Sequence, residues 1–330
     1  MLITLTPSAD PKRVQRHLAR LGVWCQPLAP LGATTTATTN LLVAPHSAAV
    51  DPERVARVDG VSDVRVAKSP HPLVDALAGG RHPIGTVATI GGDAPPVLMA
   101  GPCSVESEET ARACAEIARR AGAKLLRGGA FKPRTSPYSF NGKGHRALRW
   151  LRDAADAEGL GVVTEVMSEH EVEAVAEVAD LIQVGSRNMQ NFALLHAVGG
   201  SERPIMLKRG MAATVDEWLQ AGEHCLASGA PVVVFCERGL QSFDPTMRNL
   251  FDVSAVALLR HAYRLPVLAD PSHAAGRKDL VVPLAHAALA AGAHGLLVEA
   301  HPDPAQALSD GPQALDPDQL IALGQKAFAS

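Results

Sequence analysis

Apolar and polar positions alternate in long blocks from Val97 to the end of the chain. Apolar runs of roughly five residues are separated by stretches with helical periodicity, which is typical of a parallel α/β fold. The predicted strands are Val97–Ala100, Lys124–Arg127, Val162–Glu165, Leu181–Val184, Ile205–Lys208, Val232–Cys236, Val267–Ala269 and Gly295–Glu299. The predicted helices between and after them are Glu108–Ala121, His145–Glu158, Glu169–Val178, Phe192–Val198, Thr214–Ser228, Asn249–His261, Leu280–Ala291 and Pro317–Phe328. Eight such units over about 235 residues predict a (β/α)₈ barrel at residues 96–330. A doubly wound sheet has the same alternation and stays open.

Residues 1–70 show a shorter pattern that predicts a separate small domain. Leu2–Leu5 alternates as a half-buried strand does, and Asp10-Pro11 is a helix start. Two further strands, a short helix at Asp51-Pro52 and a last strand at Val61–Ala67 complete the order βαββαβ, which is ferredoxin-like. Residues 71–95 contain clusters of Gly and Pro and are predicted to be a linker.

Composition excludes several classes of protein. The formal net charge of −3 over 330 residues argues against a nucleic-acid-binding protein. The five cysteines lack paired spacing, so we expect no disulfide framework and a reducing, cytoplasmic location. The apolar run in the first residues is too short for a signal peptide, so we expect none. The most apolar stretch, Leu280–Val298, contains Pro283 and Gly292, and we interpret it as a helix followed by a strand rather than a membrane span.

Charged and metal-ligating residues follow almost every predicted barrel strand. In such a barrel the active site is built at the carboxyl ends of the strands. The residues at these ends are, in order, Cys103 and Glu106, Arg127, Glu165, Arg187, Lys208 and Arg209, Glu237 and Arg238, Asp270 and His273, then Glu299 and His301, with Asp310 in the last loop.

The cations among these residues predict an anionic ligand. The second strand runs into a loop rich in Gly, Pro and basic residues, Leu125–Gly144. Unpaired cations at one barrel mouth would repel each other strongly, so we expect a phosphorylated small molecule, or two anionic groups, among them. The converging set is Arg127, Lys132, Arg134, Arg187, Lys208 and Arg238. Two alternatives are a solvated surface loop and salt bridges from individual cations to Glu106, Glu165 or Glu237.

A second set of strand-end residues predicts a metal site. Strand eight of a closed barrel lies beside strand one, so Cys103, His273, Glu299 and Asp310 can meet. A thiolate, an imidazole and two carboxylates suit a divalent metal ion such as Mn, Fe, Co or Zn. Taken alone, the cysteine would be a buried core residue and the histidine a hydrogen-bonded loop residue.

Several motifs at these positions resemble one family closely. They are GPCSVES, LRGGAFKPRTSPYSFNGKG, TEVM, VGSRNMQNF, LKRGM, CERG, ADPSHAAGR, VEAHP and ALSDGPQAL. Over roughly residues 95–325 the chain resembles the 3-deoxy-D-arabino-heptulosonate 7-phosphate (DAHP) synthases, and residues 1–70 resemble the regulatory domain of the type Iβ branch. The resemblance implies condensation of phosphoenolpyruvate with erythrose 4-phosphate, the first step of the shikimate pathway to aromatic amino acids.

The resemblance also implies a role for each site residue. Cys103, His273, Glu299 and Asp310 would hold the metal ion. Phosphoenolpyruvate would be bound by Arg127, Lys132, Arg187, Lys208 and Arg238. Arg134, Thr135 and Ser136 would bind the phosphate of the aldose. Lys132 would be the general acid or a donor to the carboxylate, and Glu165 would handle the proton of the attacking water.

Substrate choice and partners follow from the same resemblance. Sister synthases that use arabinose 5-phosphate typically differ after Lys132, so the tetrapeptide KPRT favours erythrose 4-phosphate. A protein that only senses phosphoenolpyruvate or an aromatic amino acid is the alternative without catalysis. The chain departs from relatives at Gln241-Ser242 and at Ala274. We expect a homo-oligomer, a tetramer or a dimer, inhibition by tyrosine or phenylalanine through residues 1–70, and a chorismate mutase as a candidate partner. A domain that only mediates assembly is the alternative for residues 1–70.

Overall fold

The computed structural model describes residues 1–28, 39–44, 46–66, 68–131 and 142–328. These residues form two compact units, Met1–Pro70 and His71–Ser330. Within them, no helix combines the length and the apolar character that crossing a bilayer requires. All five cysteines are free thiols, as expected from their spacing.

The first unit is a four-stranded antiparallel sheet with two helices. Its order along the chain is βαββαβ, as the sequence pattern predicts, and the strands lie in the order β2-β3-β1-β4. Residues of β1, β3 and the helices form a core of their own. The elements are β1 (Leu2–Leu5), α1 (Pro11–Arg20), β2 (Cys25–Leu28), β3 (Asn40–Val43), α2 (Pro52–Ala56) and β4 (Val61–Arg65).

The second unit opens with short elements in the stretch predicted to be a linker. They are α3 (Pro72–Asp75) and a two-stranded antiparallel sheet of β5 (His82–Ile84) and β6 (Ala88–Ile90). The buried side chains Val74, Ile84 and Ile90 belong to the same hydrophobic cluster as the strands that follow. Residues 71–95 are therefore part of the second unit.

A closed barrel of parallel strands follows, which excludes the doubly wound alternative. Each strand pairs with the next along the chain, and the last strand pairs with the first to close the barrel. The described barrel strands are β7 (Val97–Gly101), β8 (Leu125–Arg127), β9 (Gly161–Val166), β10 (Leu181–Val184), β11 (Ile205–Lys208), β12 (Val233–Glu237), β13 (Val267–Ala269) and β14 (Gly295–Glu299). They are buried on both sides, which is why their sequences are continuous apolar runs.

The helices around the barrel begin at residues that cap them. Thr214 and Glu217 form a capping box at one helix, and Asp316 and Gln319 form another. The helices are α4 (Glu108–Arg120), α5 (His145–Ala157), α6 (Val172–Val178), α7 (Phe192–Gly199), α8 (Val215–Ala227), α9 (Val253–Ala257), α10 (Pro271–Ala275), α11 (Val281–Ala290) and α12 (Pro317–Ala327). The predicted helix Asn249–His261 starts later, at Val253, because Leu240 and Leu250 exchange two backbone hydrogen bonds and Asp252 is the cap.

His294, just before β14, should make stability depend on pH. Burial, reinforced by the charge of Arg260, lowers the pKa of His294 to about 4. The folded protein therefore holds this ring neutral in a pH range where the unfolded chain protonates it. We expect the free energy of unfolding to decrease as the pH falls from about 6.5 to about 4, because the unfolded state then binds the extra proton. Urea unfolding at several pH values should show a weaker dependence in His294→Gln, and an equal dependence in both proteins would contradict this assignment.

Candidate active site

Three of the four predicted metal ligands lie together at the carboxyl ends of β7 and β14. One ligand atom each from Cys103, Glu299 and Asp310 lies within 4.8 Å of the others. The Cys103 thiol donates a hydrogen bond to Asp310 Oδ2 at 3.0 Å. The two strands are neighbours because the barrel closes between them. Asp310 has a left-handed backbone with φ of 52°, a conformation that costs a non-glycine residue energy and is found at functional sites.

His273, the fourth predicted ligand, lies beside this group. Its Nε2 is 3.4 Å from Glu299 Oε1, and its Nδ1 is 2.8 Å from Asp270 Oδ2. Burial lowers the pKa of His273, although the charges of Asp270 and Glu299 oppose this shift. A neutral imidazole can donate a lone pair to a metal ion.

The donor set fits a divalent transition metal. Burial and the charge of Glu299 act to raise the pKa of Asp310, but the hydrogen bond from Cys103 and the proximity of His273 and Arg248 outweigh them, and the pKa is lowered. The carboxylate is therefore ionised at neutral pH. A thiol and two carboxylates close to one another, with an imidazole beside one of the carboxylates, match a soft-to-borderline metal ion.

Two of the predicted cations are bound to buried carboxylates. Arg127 donates to Glu299 Oε1 at 2.6 Å, and Lys208 donates to Asp270 Oδ2 at 2.5 Å. Burial acts to lower the pKa of Arg127, but the negative charges of Glu299 and Asp270 outweigh it and the pKa is raised. In Asp270, burial acts to raise the pKa, and His273 and Lys208 overcome it, so that the pKa lies well below its usual range.

The three glutamates considered in the sequence analysis as alternative salt-bridge partners do not pair with the predicted cations that the structure describes. Among the described residues, Glu106, Glu165 and Glu237 form no ion pair with the predicted cations. Glu237 instead accepts a hydrogen bond from the Gly239 amide and contacts Arg209, and burial raises its pKa. Glu106 accepts a hydrogen bond from the Leu308 amide and lies near His301.

A polar cavity of about 160 Å³ adjoins the predicted metal ligands, two of which, His273 and Asp310, line it. Arg187, Lys208 and Arg238 converge on it, and within the described residues Arg187 and Arg238 have no acidic partner. Burial lowers the pKa of Arg238. The described lining residues are Glu165, Gln183, Gly185, Ser186, Arg187, Lys208, Met211, Arg238, Arg248, Asn249, His273 and Asp310. A cavity lined by several cations, of which Lys208 and Arg238 are buried, is suited to a small ligand that carries more than one negative charge.

Comparison with known proteins identifies the family. The sequence model of the DAHP synthetase I family matches residues 80–328. The chain belongs to this family. The phospho-2-dehydro-3-deoxyheptonate aldolase of Thermotoga maritima is 49% identical over 259 residues, which cover 77% of this chain and 75% of the relative. The 2-dehydro-3-deoxyphosphooctonate aldolase of Acidithiobacillus ferrooxidans is 35% identical over 66% of this chain and 83% of its own length.

Solved structures agree with this assignment to the DAHP synthetase I family. The crystal structure of the Thermotoga maritima phospho-2-dehydro-3-deoxyheptonate aldolase has a TM-score of 0.76 and 40% identity, over 98% of this chain and 95% of that one. A truncated form of the synthase from the same organism has a TM-score of 0.69 and 43% identity, over 76% of this chain and 90% of that one.

Four predicted site residues of this family member lie outside the described residues. They are Lys132, Arg134, Thr135 and Ser136. The residues that flank them are described: β8 ends at Arg127 and α5 begins at His145. The carboxyl end of β8 can lie where it does because residue 101 is a glycine. A Cβ on Gly101 would lie 2.1 Å from the Arg127 carbonyl oxygen. Glycine at the end of β7 thus lets the two strand ends approach each other.

Sequence reasoning missed several residues of the site. Arg248 lines the cavity and contacts Asp310 Oδ1 at 3.4 Å, and Gln313 donates to Glu299 Oε2 at 2.5 Å. Neither residue follows the carboxyl end of a barrel strand, which is the position that identified the other candidate site residues in the sequence. Asp270 was noted at a strand end, but its contacts with Lys208 and His273 were not predicted.

Proposed function

We propose that this chain is a metal-dependent DAHP synthase that condenses phosphoenolpyruvate with erythrose 4-phosphate and water, giving DAHP and phosphate. Membership of the DAHP synthetase I family supports the reaction. The observation that carries the proposal is the group Cys103, Glu299 and Asp310 next to a cavity in which Arg187 and Arg238 have no acidic partner among the described residues. This arrangement offers a metal site and an anion site side by side, as the two substrates require.

The metal ion would be held by Cys103, His273, Glu299 and Asp310. When bound, a divalent metal ion supplies Lewis-acid polarisation of the aldehyde oxygen. The described contacts support this set, since the Cys103, Glu299 and Asp310 ligand atoms already lie within 4.8 Å and His273 Nε2 is 3.4 Å from Glu299.

The cations would bind phosphoenolpyruvate and orient it. Arg187, Lys208 and Arg238 line the cavity, and we assign them to its phosphate and carboxylate. Arg127 donates to Glu299 and would reach the same substrate from the barrel interior. We assign the aldose phosphate to Arg134, Thr135 and Ser136, and the general acid to Lys132, on the basis of the family resemblance.

The proposed reaction has three steps, which are carbon–carbon bond formation, addition of water and loss of phosphate. C3 of phosphoenolpyruvate attacks the aldehyde carbon, and the aldehyde oxygen takes a proton from the general acid. Water adds at C2, where positive charge has developed, and loses a proton to a base. The C2 hydroxyl then loses its proton as the C2=O double bond forms, the bond from C2 to the bridging oxygen breaks, and phosphate leaves carrying that proton. Glu165, which lines the cavity, is our candidate for the base at the water-addition step.

Gly185 provides a test of Glu165. A Cβ on Gly185 would lie 2.0 Å from Glu165 Oε1, so alanine there must displace the carboxylate. We expect Gly185→Ala to lower kcat by about 10²-fold, the lower end of what a positioned acid–base group contributes. Steady-state kinetics checks this. Gly200→Ala is the control, because its Cβ would have no neighbour closer than 3.6 Å. Normal kcat values in both Gly185→Ala and Glu165→Gln would rule out a catalytic Glu165.

The experiment that tests the proposed function is a two-substrate assay of phosphate release. We expect release only when phosphoenolpyruvate and erythrose 4-phosphate are both present, and loss of activity with a chelator. Arabinose 5-phosphate is run in parallel, because relatives such as the phosphooctonate aldolase are 35% identical. The tetrapeptide Lys132–Thr135 leads us to expect a preference for erythrose 4-phosphate. Binding of phosphoenolpyruvate without any phosphate release would identify a sensor instead of an enzyme.

We also propose that Met1–Pro70 regulates the barrel in response to tyrosine or phenylalanine. Its separate hydrophobic core supports an independent role. The same proposal includes a homo-oligomer of two or four copies and a chorismate mutase partner. It also includes a cytoplasmic location, with which the free thiols are consistent. Adding each aromatic amino acid to the assay tests the regulation, and unchanged rates would leave assembly as the role of this unit.

A further inference from the structure

Gln313 is a buried amide directly behind the predicted metal ligands. It ends the short 3₁₀ helix Gly311–Gln313, three residues after Asp310, and only 2% of its surface is exposed. Its Nε2 donates to Glu299 Oε2 at 2.5 Å, and its Oε1 accepts from Arg248 Nη1 at 2.6 Å. Both ends of the amide are therefore used.

Arg248 determines which way this amide points. A guanidinium group has donors and no acceptor, so the atom that faces it must be the amide oxygen. The NH₂ group of Gln313 is then left for Glu299. The assignment of oxygen and nitrogen in the amide thus follows from the hydrogen-bond chemistry of its neighbours.

Glu299 is held on both of its carboxylate oxygens. Oε1 accepts from Arg127 at 2.6 Å and lies 3.4 Å from His273 Nε2, whereas Oε2 accepts from Gln313. Arg248 also lies 3.4 Å from Asp310 Oδ1. Gln313 and Arg248 therefore connect the two carboxylates that we assign to the metal ion.

We propose that Gln313 is a positioning residue that orients Glu299 for a divalent metal ion, an inference that rests on the metal site of the proposed function. A carboxylate held by one oxygen can rotate about its last side-chain bond, and holding the second oxygen restricts that rotation. Hydrogen-bond partners that orient metal ligands in this way typically contribute about 10- to 100-fold to metal affinity.

The test measures binding of Co²⁺ to the metal-free full-length chain by calorimetry and absorption. A thiolate-to-cobalt charge-transfer band reports ligation by Cys103, and its loss in Cys103→Ser confirms the source of the band. We compare wild type with Gln313→Leu, which has a similar volume and no polar atoms. Gln306→Leu is the matched control, since Gln306 is an exposed glutamine in the same loop.

We expect Gln313→Leu to bind Co²⁺ about 10- to 100-fold more weakly than Gln306→Leu, with the charge-transfer band restored at saturating metal. Thermal unfolding of the metal-free proteins separates a weakened site from a weakened fold. If the leucine variant does not fold, Gln313→Asn is used, because it keeps the amide but is one methylene too short for both partners, and we expect an intermediate loss.

Two results would overturn the inference in distinguishable ways. Equal Co²⁺ affinity in the Gln313 variants and Gln306→Leu, with tight binding by wild type, would show that Gln313 serves only the fold while the metal site stands. Absence of Co²⁺ binding to wild type would remove the metal site itself, and the positioning role with it.

Discussion

Cys103→Ala is expected to lower kcat by about 10³-fold or more and to release the metal ion. Lewis-acid stabilisation by a metal ion contributes several kcal/mol to a transition state, and each 1.4 kcal/mol is about tenfold in rate. Cys103 supplies the thiol of the ligand group and donates to Asp310 at 3.0 Å. Its removal therefore takes away one proposed ligand and the hydrogen bond that holds a second. Steady-state kinetics and the metal content after dialysis measure the two effects.

The control for this variant is another buried cysteine. Cys225 lies in α8, is fully buried and is not one of the proposed ligands. Burial raises the pKa of Cys225 to about 12, so it stays a neutral thiol at neutral pH. We expect Cys225→Ala to keep both its metal and its turnover. Full activity of Cys103→Ala would contradict the metal assignment.

Lys208→Met is expected to lower both stability and activity. Lys208 is 3% exposed and its partner Asp270 is completely buried. Breaking a buried ion pair by removing one partner costs about 3–5 kcal/mol, because the other charge is left without compensation. Loss of this cation should also lower kcat/KM for phosphoenolpyruvate by about 10²-fold or more. Urea unfolding and kinetics with varied phosphoenolpyruvate measure the two losses.

A second substitution separates the two effects of Lys208→Met. In Lys208→Met/Asp270→Asn the orphaned charge is neutralised, so most of the lost stability should return. Activity should stay low, because the ammonium group that faces the cavity is still absent. Lys124→Met, at an exposed lysine just before β8, is the control. Recovery of both stability and activity in the double variant would mean that Lys208 serves the fold alone.

Prediction of the fold was most accurate where the local pattern was strongest. The observed bounds of β10, β11, β13 and β14 are those predicted, since each is a short apolar run buried on both sides. The apolar stretch Leu280–Val298 is a helix followed by a strand, as expected. The helix predicted from Asn249 was wrong at its start, where long-range backbone pairing of Leu250 with Leu240 competes with helix formation.

The sequence located the site residues at strand ends but missed those elsewhere in the chain. Strand-end position located Cys103, Glu299 and the cavity cations, because parallel strands in a barrel present their carboxyl ends at one face. Arg248 and Gln313 were missed because one lies in a loop and the other in a single 3₁₀ turn, where no periodicity marks the direction of a side chain. The roles proposed for them depend on contacts with Asp310 and Glu299 that only the folded chain creates.

The sequence by itself determined the parallel α/β pattern, the βαββαβ order of the first unit and the residue types at each strand end. These properties depend on neighbours along the chain. Only the tertiary structure decided that the strands close into a barrel and which cation meets which carboxylate. Arg127 pairs with Glu299, 172 positions away, and Lys208 pairs with Asp270, 62 positions away. Such pairs depend on the geometry of the barrel, which brings together side chains from the ends of strands that are not neighbours in the sheet.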